Sequence, residues 1–413
     1  MECMADVLFS ISIIGAIILV GFLGNVLFKK TSVPSTLWLI IFGMVLSFLG
    51  LAGTAEAIDF AGLVGAIAII AILSDGGMSL NLKEVLAHGH LGWLLLMMGL
   101  VSSMFSSIVV LGLFGFPLEI GLLVGLIIAG TSSSVVIPIM VSLRVSDRIK
   151  SILSIESIAD TFSILFALLL MEFLSGEMEL LPGTLLQAIS SELISAIFIG
   201  GLLGFALASL IVRLRKHEFF YSALLGALLL LYVFAETFGA NGALAIFSAG
   251  LIIGNAHVIQ KAIFPRGHFE KMDRDVGRTH SLIAFLIRVF FFVFLGMLVG
   301  LPDTRFLLIG FIVVTVVLLV RIAYIHFLSK AGMVEFSLME KRLASIIIPR
   351  GLSAAVLSTF AYSFNLPFAG EVVQIVFSII LFSIVFTTAG VFVSLRDTGA
   401  HANVRRNFRG AKV

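Results

Sequence analysis

The composition of the sequence is that of an integral membrane protein. The chain has 413 residues, 60% of them hydrophobic and 12% charged, with a mean hydropathy of +1.19. Soluble domains carry about 25% charged residues, so this composition excludes an ordinary soluble fold. The single cysteine, Cys3, excludes an internal disulfide framework and a cysteine-rich metal site. The formal net charge of +2 indicates no particular partner, and we expect no nucleic acid.

Hydropathy and turn signals predict an all-α fold with about thirteen transmembrane helices. A helix needs about 20 apolar residues to cross a bilayer. The first apolar run is that long and lacks a basic segment before it, so we do not interpret it as a signal peptide. In chain order, spans 1 to 13 are predicted at 7–28, 35–52, 60–80, 91–114, 119–142, 150–171, 188–212, 219–236, 240–255, 280–300, 306–328, 343–363 and 371–394.

The basic residues predict an orientation. Loops on one side of this map hold 22 of the 26 lysines and arginines, whereas loops on the other side carry acids such as Glu56 and Glu371. The positive-inside rule therefore predicts an outside N-terminus and a cytoplasmic C-terminus in the cell (inner) membrane. Arg288, Arg321 and Arg350 instead fall near the middle of predicted spans. Such arginines are expected to face protein or water and to pair with acids.

Two spans are predicted to be broken. Span 5 contains the hydroxyl run from Thr131 to Ser134, followed by Pro138, and span 12 contains Pro349-Arg350-Gly351 at mid-depth. Proline removes a backbone donor and clashes with the preceding turn. The spans are seven apart, and an odd offset reverses direction across the membrane, so spans 4–6 and 11–13 are predicted inverted repeats. Paired breaks mark the binding site in secondary transporters, although the hydroxyl run is also compatible with helix packing through small residues.

Span 6 carries two acids inside an apolar helix. Glu156 and Asp160 are four residues apart and share a helix face. Acids at mid-membrane are costly and are functional by default, so we predict that Asp160 is the titrating ligand of a cation or proton path. Glu156 either supports that ligand or forms an ion pair with Arg350. A structural ion pair remains the alternative for either acid.

The arginines also have structural interpretations. Each can neutralise the end of an opened helix or hold an acid in place without touching a substrate. Arg288, beside the aromatic run 290–294, is interpretable as a structural link. The absence of HExxH, GxxxxGK[ST] and GxSxG patterns gives no support for a membrane protease or an ATP-driven pump. We therefore expect no enzyme activity and no cofactor.

Six segments in a fixed order resemble the cation:proton antiporter superfamily, and most closely the NhaP-type sodium/proton antiporters. They are LSDGGMSLNL, GTSSSVVIPIM, ESIADTFSI, RVFFFVFLGMLVG, Arg321 and PRGLSAAVLS. The resemblance implies thirteen helices in inverted repeats, breaks in spans 5 and 12, and a homodimer. It also implies one transporter domain, 1–413, in which a core moves against a dimerisation scaffold. The core would comprise 91–171 and 306–394, and the scaffold 1–90 and 188–300.

The resemblance also implies a Na⁺ site. Asp160 is similar to the transport aspartate, and Glu156, Ser157 and the backbone at Thr131 are similar to its companion ligands.

Two further features follow from the same comparison of motifs. Arg350 is similar to the arginine that pairs with the span 6 glutamate, and Arg321 matches the basic position of span 11. The family often reads Glu-Ser, two residues, then Asn-Asp, whereas here Asp160 comes one residue earlier and Ala159 occupies the Asn position.

The expected function is exchange of Na⁺, or of Li⁺ or K⁺, for H⁺, with a role in pH homeostasis. Cation and proton would compete for Asp160, and exchange is expected to be electroneutral because Ala159 leaves no second acid beside it. The alternative is a carrier of organic anions or other solutes on a similar inverted-repeat fold, with the arginines as substrate clamps. A channel is a third class.

Overall fold

In the computed structural model, the regular secondary structure of the described residues is entirely helical. These are 2–31, 34–51, 55–80, 82–132, 135–136, 139–140, 146–157, 159–176, 182–214, 220–263, 274–334 and 336–397, and no strand occurs among them. The helices in the first half of the chain are α1 (Glu2–Thr31), α2 (Ser35–Leu46), α3 (Ala55–Ser79), α4 (Leu82–Leu113), α5 (Leu118–Ile127), α6 (Asp147–Glu156), α7 (Ala159–Leu174) and α8 (Pro182–Leu214). A π-helical segment, Ser47–Leu51, follows α2.

The second half continues the same architecture. Its helices are α9 (Phe220–Thr237), α10 (Gly242–Gly254), α11 (Ala256–Ile263), α12 (Arg274–Val299), α13 (Thr304–Lys330), α14 (Leu338–Ile346), α15 (Leu352–Ser363) and α16 (Ala369–Asp397).

The predicted all-α membrane fold is confirmed. Within the described residues, six helices are long and apolar enough to cross a membrane, and seven shorter apolar helices accompany them. Each of the thirteen predicted spans overlaps one of these helices. Several helices are longer than the predicted spans; α4, for example, begins at Leu82 rather than at residue 91.

The predicted breaks in spans 5 and 12 are also present. α5 ends at Ile127, and the chain is not helical from Ala129 to Thr131. α14 ends at Ile346, and an extended segment, 347–351, precedes α15. Ser133, Ser134 and Pro138 lie outside the described residues, so the cause of the first break rests on the sequence alone.

Span 6 contains an interruption that the sequence analysis did not predict. α6 ends at Glu156 and α7 begins at Ala159. The Ser157 hydroxyl donates a hydrogen bond to the Leu153 carbonyl, 2.9 Å away, which also accepts the Ser157 backbone N–H at 3.1 Å. No Pro or Gly marks this position. The consequence is that Glu156 ends one helix while Asp160 lies in the first turn of the next.

Small residues bring α10 against its two neighbours, α3 and α8. A Cβ atom on Gly77 of α3 would lie 2.8 Å from the Leu251 nitrogen, and one on Gly204 of α8 would lie 2.6 Å from the Ala249 Cα. Close backbone approach through small residues is the usual means of helix association in a membrane. α10 is therefore held between α3 and α8 with little room for added volume.

We expect Gly200→Ala to destabilise the protein and Gly201→Ala, at the next position of α8, to leave it unchanged. A Cβ on Gly200 would overlap the Ala245 carbonyl oxygen and lie 2.8 Å from the Ala245 Cα, whereas a Cβ on Gly201 meets nothing within 4 Å. Overpacking of this kind costs about 1–3 kcal/mol. Thermal unfolding in detergent measures both, and equal stability of the two variants would contradict the described packing.

Candidate functional site

The two extended segments cross and bind each other. The Ser132 backbone nitrogen, after α5, donates to the Pro349 carbonyl oxygen at 2.9 Å. A side chain at Gly351 would overlap the Ser132 hydroxyl, so only glycine permits this approach. The Arg350 nitrogen donates to the Ser383 hydroxyl of α16 at 3.0 Å. The breaks in spans 5 and 12 thus form one hydrogen-bonded crossing.

The Arg350 side chain binds the open end of α5. Its Nη1 donates to the carbonyl oxygens of Ala129 and Gly130 at 3.0 and 2.8 Å, and its Nη2 donates to the Ser103 hydroxyl of α4 at 3.1 Å. The last carbonyls of a helix have no partner within the helix, and a cation is favourable near them. Arg350 therefore satisfies the carbonyls that the break in span 5 sets free.

Arg321 and Glu156 form a buried ion pair in which each side chain is only about 2% exposed. Arg321 Nη2 donates to Glu156 Oε2 at 2.8 Å, and Nη1 contacts both Oε1 and the Tyr324 hydroxyl. The Arg321 Nε also donates to the Ala344 carbonyl at 2.6 Å, in the last turn of α14. The pair is two-pronged, which is the strong geometry for arginine and carboxylate.

The predicted partnership of Glu156 with Arg350 is wrong. The guanidinium of Arg350 donates to two carbonyls at the crossing and to Ser103. Arg321, on α13, instead donates to Glu156 through two parallel N–H groups. The contacts are instead of the two other kinds that the sequence analysis allowed for these arginines, at an opened helix end and with an acid. Arg350 makes the first kind, and Arg321 makes both.

Asp160 lies at the crossing, apart from this ion pair. A Cβ on Gly130 would overlap Asp160 Oδ1 and lie 2.6 Å from the Asp160 Cα, so the carboxylate is in contact with the open segment after α5. The Arg350 guanidinium and the Ser353 side chain also face it. Asp160 is half-buried, whereas Glu156 is buried. The accessible acid and the enclosed acid are thus distinct.

The other predicted site residues divide between the crossing and elsewhere. Thr131, about 2% exposed, follows Gly130 in the open segment, and the buried Ser157 ends α6. Arg288 belongs to α12, where the acid that faces it is Asp75 of α3. The described residues contain no group of three or more His, Cys, Asp or Glu able to hold a metal ion. A cation at the crossing would rely on one carboxylate and neutral oxygens.

Sequence reasoning did not single out Ser103, Gly130 or Ser353. Ser103 lies in the run SSMFSS of α4, and nothing in that run indicates which hydroxyl faces Arg350. Gly130 immediately precedes the hydroxyl run of span 5, and a glycine at a predicted break is a signal that a neighbouring group approaches closely.

Half-helices that cross around an accessible carboxylate are the arrangement found in secondary active transporters. The chain belongs to the sodium/hydrogen exchanger family: the family model described as "Sodium/hydrogen exchanger, transmembrane" matches residues 15–396.

Two curated relatives match most of the chain. It is 26% identical over 391 residues to the K(+)/H(+) antiporter NhaP of Alkalimonas amylolytica, which covers 91% of this chain and 64% of the relative. It is also 26% identical over 287 residues to the probable Na(+)/H(+) antiporter 2 of Methanocaldococcus jannaschii, covering 66% of this chain and 65% of the relative. The chain therefore spans just under two thirds of the length of these relatives.

Solved structures support the fold. The sodium proton antiporter MjNhaP1 from Methanocaldococcus jannaschii at pH 8 superposes with a TM-score of 0.78 at 22% identity, covering 94% of this chain and 99% of the other. A second structure of that antiporter gives a TM-score of 0.73 at 21% identity, covering 94% and 97%. The chain thus has the antiporter fold along nearly its whole length.

We expect Glu156→Gln to destabilise the protein by about 3–5 kcal/mol, because it leaves Arg321 as an unpaired buried charge. Adding Arg321→Met should recover part of that loss. Adding Arg350→Met instead is the matched control and should make stability worse, since Arg350 binds other partners. Thermal unfolding of the single and double variants gives both coupling energies. A larger favourable coupling with Arg350 than with Arg321 would contradict the described ion pair.

Proposed function

We propose that this protein exchanges an alkali cation, Na⁺ or alternatively Li⁺ or K⁺, for protons across a membrane. The observation that carries the proposal is the half-buried carboxylate of Asp160 at the crossing of two broken spans. Acids within spans are rare and mark ion or proton paths. Family membership and the names of both curated relatives support the same activity.

The proposed mechanism is competition at Asp160. The ionised carboxylate binds the cation, and protonation neutralises the carboxylate and releases it. Thr131, Ser157 and the open backbone of span 5 would supply neutral oxygens, as unwound segments do in other transporters. Glu156 is proposed to act as the counter-ion of Arg321 rather than as a ligand, because both of its oxygens contact that guanidinium.

The contacts of the arginines argue against the organic-anion carrier. Arg321 donates hydrogen bonds to Glu156, Tyr324 and the Ala344 carbonyl. Arg350 is engaged by Ser103 and the opened end of α5. A guanidinium that clamps a substrate must have N–H groups free to receive it, and most of the five N–H groups of each arginine already have protein partners. We propose that Arg350 and Arg321 hold the crossing together, with Arg288 as a structural link outside it.

Transport is proposed to proceed by movement of the core, 91–171 and 306–394, against the scaffold, 1–90 and 188–300. A cavity of about 380 Å³ supports this division. Leu168 of α7 and Phe360 of α15 line it from the core, while Tyr232 and Glu236 of α9 line it from the scaffold. We further propose a homodimer in the cell membrane, with the N-terminus outside, the C-terminus in the cytoplasm and a role in pH homeostasis.

Asp160→Asn is expected to abolish exchange without unfolding the protein, because the amide cannot titrate. Reconstituted vesicles with an internal pH dye measure cation-driven proton flux. Asp303→Asn is the matched control, since it removes an exposed carboxylate but keeps a residue that can cap α13. Wild-type flux in Asp160→Asn would overturn the mechanism.

Exchange is expected to be bell-shaped in pH and to stop at a cation gradient that does not depend on membrane potential. Protons exclude the cation at low pH, and the cation prevents return of the proton at high pH. Independence from the membrane potential is expected because Ala159 leaves no further acid beside Asp160 to carry a second proton. Vesicles clamped at different potassium-valinomycin potentials measure the endpoint with Na⁺ as the driven ion. An endpoint that shifts with potential would mean that net charge moves in each cycle.

A further inference from the structure

Ser353 carries a buried hydroxyl at the crossing, within reach of the Asp160 carboxylate but not in a well-formed hydrogen bond with it. It is the second residue of α15 and is only about 4% exposed. Its side chain faces the carboxylate of Asp160. Among the described residues, its Oγ nonetheless makes no hydrogen bond of acceptable geometry. A polar atom of this kind is an exception that requires an explanation, because nearly all buried polar side-chain atoms are paired.

The break in span 12 explains why Ser353 lacks the usual partner. Hydroxyls inside helices commonly bond to a carbonyl of the preceding turn. Ser358 and Thr359, later in α15, do so with the carbonyls of Ala355 and Val356, both at 2.7 Å. Ser353 follows the extended segment 347–351, so no helical turn precedes it. The break thus leaves one hydroxyl without a backbone partner at the position beside Asp160.

A buried hydroxyl without a partner costs about 1–3 kcal/mol. A ligand that binds between Ser353 and Asp160 would remove this cost and would itself gain a neutral oxygen beside a carboxylate. Monovalent and divalent hard cations take oxygen ligands. An anion would instead meet the carboxylate at close range, so the chemistry of this pair favours a cation.

We propose that the Ser353 hydroxyl is a ligand of the transported alkali cation, and that it contributes to both affinity and selectivity among these ions. The assignment rests on the proposed function, since it concerns the same site. It adds a ligand from the second half of span 12 to those drawn from spans 5 and 6. The cation would then touch both broken spans and would bridge the two predicted repeats.

The test compares Ser353→Ala with Ser353→Thr, which keeps the hydroxyl, and with Ser358→Ala as the matched control. Ser358 is in the same helix and is about 1% exposed, but its hydroxyl is bonded to its own backbone. Ser353→Cys, which keeps the size and replaces the hydroxyl by a soft thiol, serves if the alanine variant does not fold. Each variant is assayed for exchange with Li⁺, Na⁺ and K⁺ in vesicles, and for cation-induced thermal stabilisation in detergent.

Ser353→Ala and Ser353→Cys are expected to raise the KM for the preferred cation about tenfold and to change the order of preference. They should also reduce the rise in Tm that this cation causes, because binding to the folded state stabilises it. Ser353→Thr should retain the cation-induced rise in Tm because it keeps the hydroxyl, and Ser358→Ala should behave like the wild type. A Ser353→Ala variant with wild-type KM, selectivity and cation-dependent Tm would overturn the assignment.

The two readouts separate this inference from the proposed function. If wild-type vesicles show no exchange but an alkali cation raises Tm only when residue 353 carries a hydroxyl, the ligand assignment stands and exchange fails. If exchange occurs but Ser353→Ala leaves KM and Tm unchanged, the ligand assignment fails and exchange stands. If no alkali cation raises the wild-type Tm at any accessible concentration, the assignment is also overturned.

Discussion

The structure depends on satisfying the backbone carbonyls that two broken spans expose inside an apolar environment. Water cannot bind these groups in the centre of a membrane, and each unsatisfied group costs several kcal/mol. Arg350 meets this demand at the end of α5, and Arg321 meets it at the end of α14. Two guanidinium groups thus permit the non-helical segments that form the crossing.

The same arginines separate the two acids of span 6 into different roles. Arg321 holds both oxygens of Glu156, and the pair is enclosed. Arg350 directs its N–H groups mainly to carbonyls, so that Asp160 remains half-buried and available. The interruption between α6 and α7 places the two acids in different helices. One acid is enclosed in an ion pair, and the other is the one that we propose to titrate.

The sequence predicts the spans and their breaks well, because both depend on local properties. The lengths of the apolar runs predicted the thirteen spans, and the Pro349-Arg350-Gly351 segment predicted the break in span 12. The pairing of Glu156 was not predictable in this way. Either arginine satisfies its charge, and the choice depends on which carbonyls each guanidinium also reaches in three dimensions.

Other features of the site lacked any local signal. The interruption after Glu156 occurs without Pro or Gly, and the position of the Asp160 carboxylate requires Gly130 in another span. Ser353 was partly predictable, since a hydroxyl in the first turn after a predicted break has no earlier turn to bond. The proximity of Ser353 to Asp160 was not predictable, because it arises only when the two broken spans cross.

The contact between Glu156 and Arg321 has a consequence for the synthesis of the protein. The two residues are 165 positions apart in the chain. At a translation rate of about 5–20 residues per second, span 6 is made roughly 8–33 seconds before its partner arginine. During that interval the glutamate enters the membrane without its counter-charge, and the opened end of α5 waits still longer for Arg350. The first repeat is therefore inserted in an unfinished form, and only the last third of the chain allows it to reach its final structure.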